Sequence, residues 1–202
     1  MPRKADRELE GRILEAAHQL WVKGGEKALT MRGVAKAAGT TTPTVYERFR
    51  DKREIHESLR RRAQMNLYAT MQTAAVLEEF PQKYLDFAVK HQHEYELIHA
   101  DWAVRLGREE PRPSLDLLKD RLAERLGGKP GDHTRLALSI AALAHGIAIL
   151  LLAEGVHETV ARNLREACSA GFEALVNHAS RKAGRHKKAW AARLYSPGRM
   201  PL

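Results

Sequence analysis

The apolar residues of this chain recur at helical spacing from one end to the other, and no β-branched run with period-two alternation exceeds a few residues. That pattern predicts an all-α fold. A stripe of Leu9, Ile13, Ala16, Ala17, Leu20 and Trp21 marks a first helix that stops at Gly24 and Gly25. Thr30 offers a hydroxyl to cap a second, short helix that buries Val34, Ala35 and Ala38 and ends at Gly39, the residue type best suited to a left-handed cap. A third short helix begins at Thr41 or Thr42 with Pro43 in its first turn, where a missing N–H costs nothing. It turns Val45 and Phe49 inward and ends near Arg50. Asp51 followed by Glu54 has the spacing of a capping box and opens a long fourth helix with Ile55, Leu59, Leu67 and Met71 on its inner face.

Further on, Pro81 opens a fifth helix that runs to about His99, and Asp101 to Gly107 can form a short sixth before the break at Pro111 to Pro113. Leu115, Leu118 and Leu122 mark a seventh. Gly127, Gly128, Pro130 and Gly131 make the clearest loop, Asp132 caps an eighth helix to Ala153, and Gly155 separates a ninth, His157 to about His178. The reading is of about nine helices in three parts: a three-helix head over 1–60, a helical body over 61–180, and a basic tail over 181–202 expected to be disordered or loosely helical. With 202 residues, 44% of them apolar, the chain can bury a sizeable core.

The charge is unevenly spread. Residues 1–62 carry 15 Lys and Arg against 9 Asp and Glu, residues 63–178 carry 12 against 16, and residues 179–202 carry 7 against none. A basic head on an acidic body is the footprint of a protein that meets a polyanion with one end. Leu136 to Ala153 approaches the length of a bilayer span, but it contains Ser139, His145 and Gly146, is rich in alanine, lacks aromatic belts and stands alone, so it reads as a buried helix. With one cysteine, Cys168, and no apolar leader in the first thirty residues, the chain reads as cytoplasmic and without a disulfide.

Two short helices separated by Gly39 and a few turn residues have the spacing of a helix-turn-helix, whose second helix enters the DNA major groove. The residues displayed there suit DNA, because hydroxyls and Tyr46 can donate to phosphate oxygens, while Thr and Pro offer methyl and methylene contacts to thymine. The run Thr30-Met31-Arg32-Gly33-Val34-Ala35-Lys36-Ala37-Ala38-Gly39, with Thr44-Val45-Tyr46 and Phe49 to Lys52, resembles the DNA-binding signature of the TetR family. Flanking residues extend the resemblance over 9–59. It implies a dimeric transcriptional regulator, a repressor released by a small-molecule inducer, in which Thr30, Arg32, Tyr46 and Lys52 grip phosphates and Thr41, Thr42, Pro43 and Thr44 lie against base edges of a double-stranded operator. Gly or Ala is common in the family where Pro43 stands, and an acidic residue where Gly33 stands. The alternative is a ligand-independent DNA-organising protein, which the basic tail suits.

For the body the resemblance implies a dimerising, ligand-binding helical domain. Small residues on the eighth and ninth helices (Ala141, Ala142, Gly146, Ala148, Ala167, Gly171) permit close helix approach and suggest a four-helix interface across a two-fold axis. Tyr84, Phe87, His91, Tyr95 and Ile98 fall on one stripe of the fifth helix; with Tyr68, Met71 and His145, and with Trp102 and Arg105 at its mouth, they are candidates to line an apolar pocket, as against plain core. No metal site or cofactor is expected, since His91 and His93 point about 200° apart on a helix. Cys168 reads as a small core residue, and no nucleophile elbow, phosphate loop or HExxH appears, so an enzyme is not expected.

Overall fold

The computed structural model describes residues 4–100 and 110–194, with side chains over 8–100 and 110–182. Among the described residues there are nine α-helices, two 3-10 turns and no strands. The chain divides into two compact units that interleave along the sequence: Met1–Ala69 with Phe87–Arg112, and Thr70–Asp86 with Pro113–Leu202. The expected short helix over 101–107 lies outside the described residues.

The first unit is built on α1 (Lys4–Ala28), α2 (Met31–Ala37), α3 (Thr42–Tyr46), most of α4 (Lys52–Gln72) and α6 (Gln92–His99). Ile13, Ala16, Ala17 and Trp21 of α1 are buried, as the stripe requires, and the helical path is interrupted at Gly24 and Gly25. Only Gly25 needs glycine for its backbone, with φ at 58°. Val34, Ala35, Val45, Phe49, Ile55 and Leu59 close the core around α1. At the head of α4 the Glu54 N–H donates to Asp51 Oδ1 at 2.9 Å, while the Glu54 carboxyl accepts the N–H of Arg50 at 2.8 Å. The reciprocal cap thus forms with its return bond one residue earlier than in the standard box.

Three polar ties fasten α1 and α4 to the rest of this unit. Arg62 bonds Glu15 at 2.7 Å and so holds its carboxyl below the ordinary range. Arg60, nearly buried, is satisfied by Glu57 at 2.9 Å and Glu110 at 3.4 Å. Glu94, in the first turn of α6, accepts from His18 Nε2 at 2.6 Å and from Asn66 Nδ2 at 3.1 Å, so one buried oxygen joins α1, α4 and α6.

The helix expected over 81–99 is two helices. α5 (Phe80–Lys90), entered through the 3-10 turn Leu77–Glu79, ends at His91, whose ψ of 49° interrupts the helix before α6. No glycine or proline marks the break. Beyond it Trp21 Nε1 donates to the His93 carbonyl at 2.7 Å, and His18 meets Glu94, so contacts from α1 fix the direction of α6.

In the second unit α7 (Pro113–Leu126) buries Leu118 and Leu122 and ends at Gly127 and Gly128, both with positive φ. Asp132 caps the following 3-10 turn Pro130–His133 through the Lys129 N–H at 2.8 Å. α8 (Thr134–Leu151) buries Ala137, Ile140, Ala144, Ile147 and Ala148. α9 (Glu158–Leu194) packs Cys168, Phe172 and Val176 inward, and burial pushes the Cys168 thiol pKa up. It runs past the expected end at His178, and over 181–194 the helical of the two alternatives for the tail is the one present. α8 and α9 meet closely at Gly171, where a Cβ would lie 2.7 Å from Leu143 Cδ2.

Candidate nucleic-acid interface

The site is made by α2, α3 and the turn between them. Thr30 caps α2 by accepting the Gly33 N–H at 3.0 Å, which leaves its hydroxyl proton free to be donated outward. A Cβ on Gly33 would sit 2.8 Å from that same Oγ1, so a side chain there would require the Thr30 hydroxyl to shift. The turn is closed by Thr40 N–H donating to Ala35 O at 3.0 Å, with Gly39 at φ 65°. Only a residue tolerant of the left-handed region fits that point without strain.

α3 is short and is held by its inner side. Val45 and Phe49 are buried, although the helix itself stops at Tyr46 and a turn carries the chain on to Phe49. Thr41 caps α3 through the Thr44 N–H at 3.3 Å, and its Oγ1 lies 2.8 Å from Thr44 Oγ1. Both hydroxyls are therefore already engaged with each other. Pro43 and Tyr46 are exposed, Tyr46 at 50%, and Thr42 is half-buried. Arg32 and Lys36 are exposed on α2. Lys52, at the start of α4, donates to the Glu26 carbonyl at 3.0 Å and to its carboxyl at 3.3 Å. Nothing in the sequence signals Glu26 as the partner of Lys52.

The candidate pocket residues are distributed over both units. In the first, Phe87 stacks on His91 at 5.1 Å between centroids, Tyr95 lies buried against His99, and Tyr68 is half-buried. Met71, Tyr84 and His145 belong to the second, Met71 buried and the other two half-buried. Burial lowers the His145 pKa. Trp102 and Arg105 lie outside the described residues. His91 and His93 take separate partners, Glu94 at 3.7 Å and Glu96 at 3.1 Å, and among the described residues no cluster of three metal-ligating side chains is found.

The family model of the bacterial regulatory proteins of the tetR family matches residues 13–59, and that of the tetracyclin repressor-like C-terminal domain matches residues 77–178. The chain belongs to the TetR family. It is a TetR-family transcriptional regulator, with α2 and α3 inside the first match and α5 to α8 inside the second. Among solved structures, SCO4942 of Streptomyces coelicolor is 26% identical, with a TM-score of 0.52 over 83% of this chain and 97% of that one. A Rhodococcus sp. RHA1 protein of unknown function is 22% identical, with a TM-score of 0.63 over 84% and 94%. The TetR-family regulator SCO0857 of S. coelicolor A3 shares 16% identity, with a TM-score of 0.50 over 88% and 99%. The last two likenesses show the fold alone. No curated protein matches the sequence.

Proposed function

We propose that this TetR-family regulator is a cytoplasmic homodimer that represses transcription by binding a palindromic operator, and that a small-molecule inducer releases it. The observation that carries the reading is the display of Thr42, Pro43 and Tyr46 on a helix held from behind by Val45 and Phe49. Thr30, Arg32, Tyr46 and Lys52 grip phosphates in this reading, with Thr42, Pro43 and Thr44 at the base edges and Thr41 holding α3 there through its cap. Two such helices related by a two-fold axis would enter successive major grooves about 34 to 36 Å apart.

The second unit supports a dimer. Pro130–Leu151 is long and apolar enough to cross a membrane, with a mean hydropathy of 1.8 over 18 of its residues, yet only 28% of that stretch is buried. It lies within the C-terminal domain match, and its uncovered face reads better as one that meets a second copy. Ser139, Ala142, Gly146, Ile149 and Leu150 are exposed along one stripe of α8, and Val160, Ala167, Ala170 and Ala174 along one of α9. Exposed Ile149, Leu150 and Val160 each lose hydration cost on being covered. Of the small residues, Ala148 and Gly171 serve packing within the chain, whereas Ala142, Gly146 and Ala167 face outward. The candidates for inducer contact are Tyr68, Phe87, His91 and Tyr95 in the first unit and, separately, Met71, Tyr84 and His145 in the second, together with Trp102 and Arg105.

Selection of bound sequences from random DNA, at two salt concentrations, tests the proposal. A recovered palindrome is expected. Enrichment of no sequence, with binding that vanishes as salt rises, would overturn it in favour of a DNA-organising protein.

A further inference from the structure

After Val176 no residue of α9 up to Lys182 is buried. Val176 is the last buried residue among those described, and the helix continues to Leu194, a further length of about 27 Å at 1.5 Å per residue. From Arg181 onward the helix carries Arg181, Lys182, Arg185, Lys187, Lys188 and Arg193 and no acidic residue. Arg181 and Arg185 stand four apart, and Lys182 with Arg185 and Arg185 with Lys188 three apart. Like charges at these spacings repel and weaken a helix in water by a few tenths of a kcal/mol per pair, here with no opposite charge in the segment to offset them. Gly184 weakens it further. A surface that neutralises these cations stabilises the helix.

We propose that residues 181–194 form a second DNA-binding element that grips the phosphate backbone of double-stranded DNA without reading its sequence. The inference rests on the DNA-binding reading for its partner but not on an operator. Fourteen helical residues span about 21 Å, the length over which one strand of B-DNA presents about six phosphates. Of its six cations, Arg181, Lys182, Arg185 and Lys188 fall within about 120° of one another at helical spacing, so up to four can meet one strand. An anionic bilayer is the weaker fit, because the apolar residues among these cations are mostly alanine, with Trp190 and Leu194 as the large ones, too little apolar area to bury in a headgroup layer.

The test uses the full-length protein with Arg181, Lys182, Arg185, Lys187, Lys188 and Arg193 all replaced by Gln, and a second variant ending at Ser180. Binding to a random-sequence duplex and to the selected operator is followed by anisotropy across a salt series. Every phosphate that the variants no longer neutralise should flatten the slope of log K against log salt by about 0.9, so giving up two or more flattens it by about 1.8 or more, on both duplexes. The ratio of operator to random affinity should stay the same or rise. A slope change smaller than about 0.9, the value for a single phosphate, overturns the inference. So does tighter DNA binding by the variants, which would place the segment on the chain's own acidic body, and so does an unchanged slope with wild-type binding to phosphatidylglycerol vesicles. If the wild type selects no palindrome but the variants flatten the slope, the operator reading falls and this element stands; a palindrome with an unchanged slope gives the converse.

Discussion

Replacing Glu94 by alanine removes an acceptor shared by three helices, and the cost follows from its surroundings. Its side chain is 5% exposed and its Oε1 takes both His18 Nε2 and Asn66 Nδ2. Hydrogen bonds to an ionised group contribute about 1.5 to 3 kcal/mol each, but His18 is partly exposed and water can replace some of what it loses. The other oxygen, Oε2, is buried without a hydrogen bond, with His91 Nδ1 3.7 Å away, a desolvation penalty of about 1 to 3 kcal/mol that the substitution relieves. The balance is a destabilisation of about 2 kcal/mol, which for a chain of this size lowers Tm by about 4 to 8 °C. A double-mutant cycle with His18→Ala, read by urea unfolding, should return a coupling of about 1 to 2 kcal/mol. Glu94→Gln, which keeps an acceptor for His18, should recover about half of the loss. If the coupling falls below about 0.5 kcal/mol, the contact between α1 and α6 is incidental and the reasoning fails.

Gly146→Ala should stabilise an isolated chain by about 1 kcal/mol, because its Cβ meets nothing within 4 Å, whereas Gly146→Leu should shift sedimentation toward monomer; a leucine variant that stays dimeric would remove this face from the interface. Lys52→Ala should weaken operator and random DNA alike and flatten the salt slope by about 0.9, while Glu26→Gln, which removes the carboxyl paired with Lys52, should tighten both by no more than about fivefold; anisotropy titrations decide. His145 is held with a pKa below the ordinary 6.5 by burial, so the unfolded chain takes up its proton first. The corresponding stability is present above 6.5 and lost as pH falls from there through the lowered value; His145→Leu should remove that component from the pH dependence of unfolding.

What the sequence made legible was local. Thr30, Gly39, Pro43 and Asp51 each act on backbone within four residues, and the caps and turns they announce are present. The break at His91 was not legible because contacts from α1, more than seventy residues away, direct the chain there, and no residue type between Pro81 and His99 announces it. The pairing of Glu26 with Lys52 has the same cause at shorter range. In α9 the apolar stripe fades after Val176, which is why the pattern predicts an end near His178; alanine and long basic residues keep good intrinsic propensity, and the helix continues past the apolar stripe. Small residues on α8 and α9 signalled close approach but not which partner, and only the structure separates Gly171, packed on Leu143, from Gly146, facing outward.

The caps also sort the helix-turn-helix threonines into two kinds, with opposite expectations. Thr41 is the N-cap of α3, and its hydroxyl is committed to the Thr44 N–H and hydroxyl. Thr41→Ala should therefore cost about 1 kcal/mol of stability and weaken binding to all DNA sequences in common, because the whole of α3 is less well held. Thr42 and Pro43 have no such duty toward α3 beyond the proline's place in its first turn. Thr42→Ala should leave stability within about 0.5 kcal/mol of the wild type while changing the preferred base at one operator position by about 1 to 3 kcal/mol. The comparison needs one thermal melt and one specificity profile per variant. If Thr41→Ala alters a single base preference at unchanged stability, its hydroxyl reads DNA rather than capping α3, and the geometry of the free protein is not the one that meets the operator.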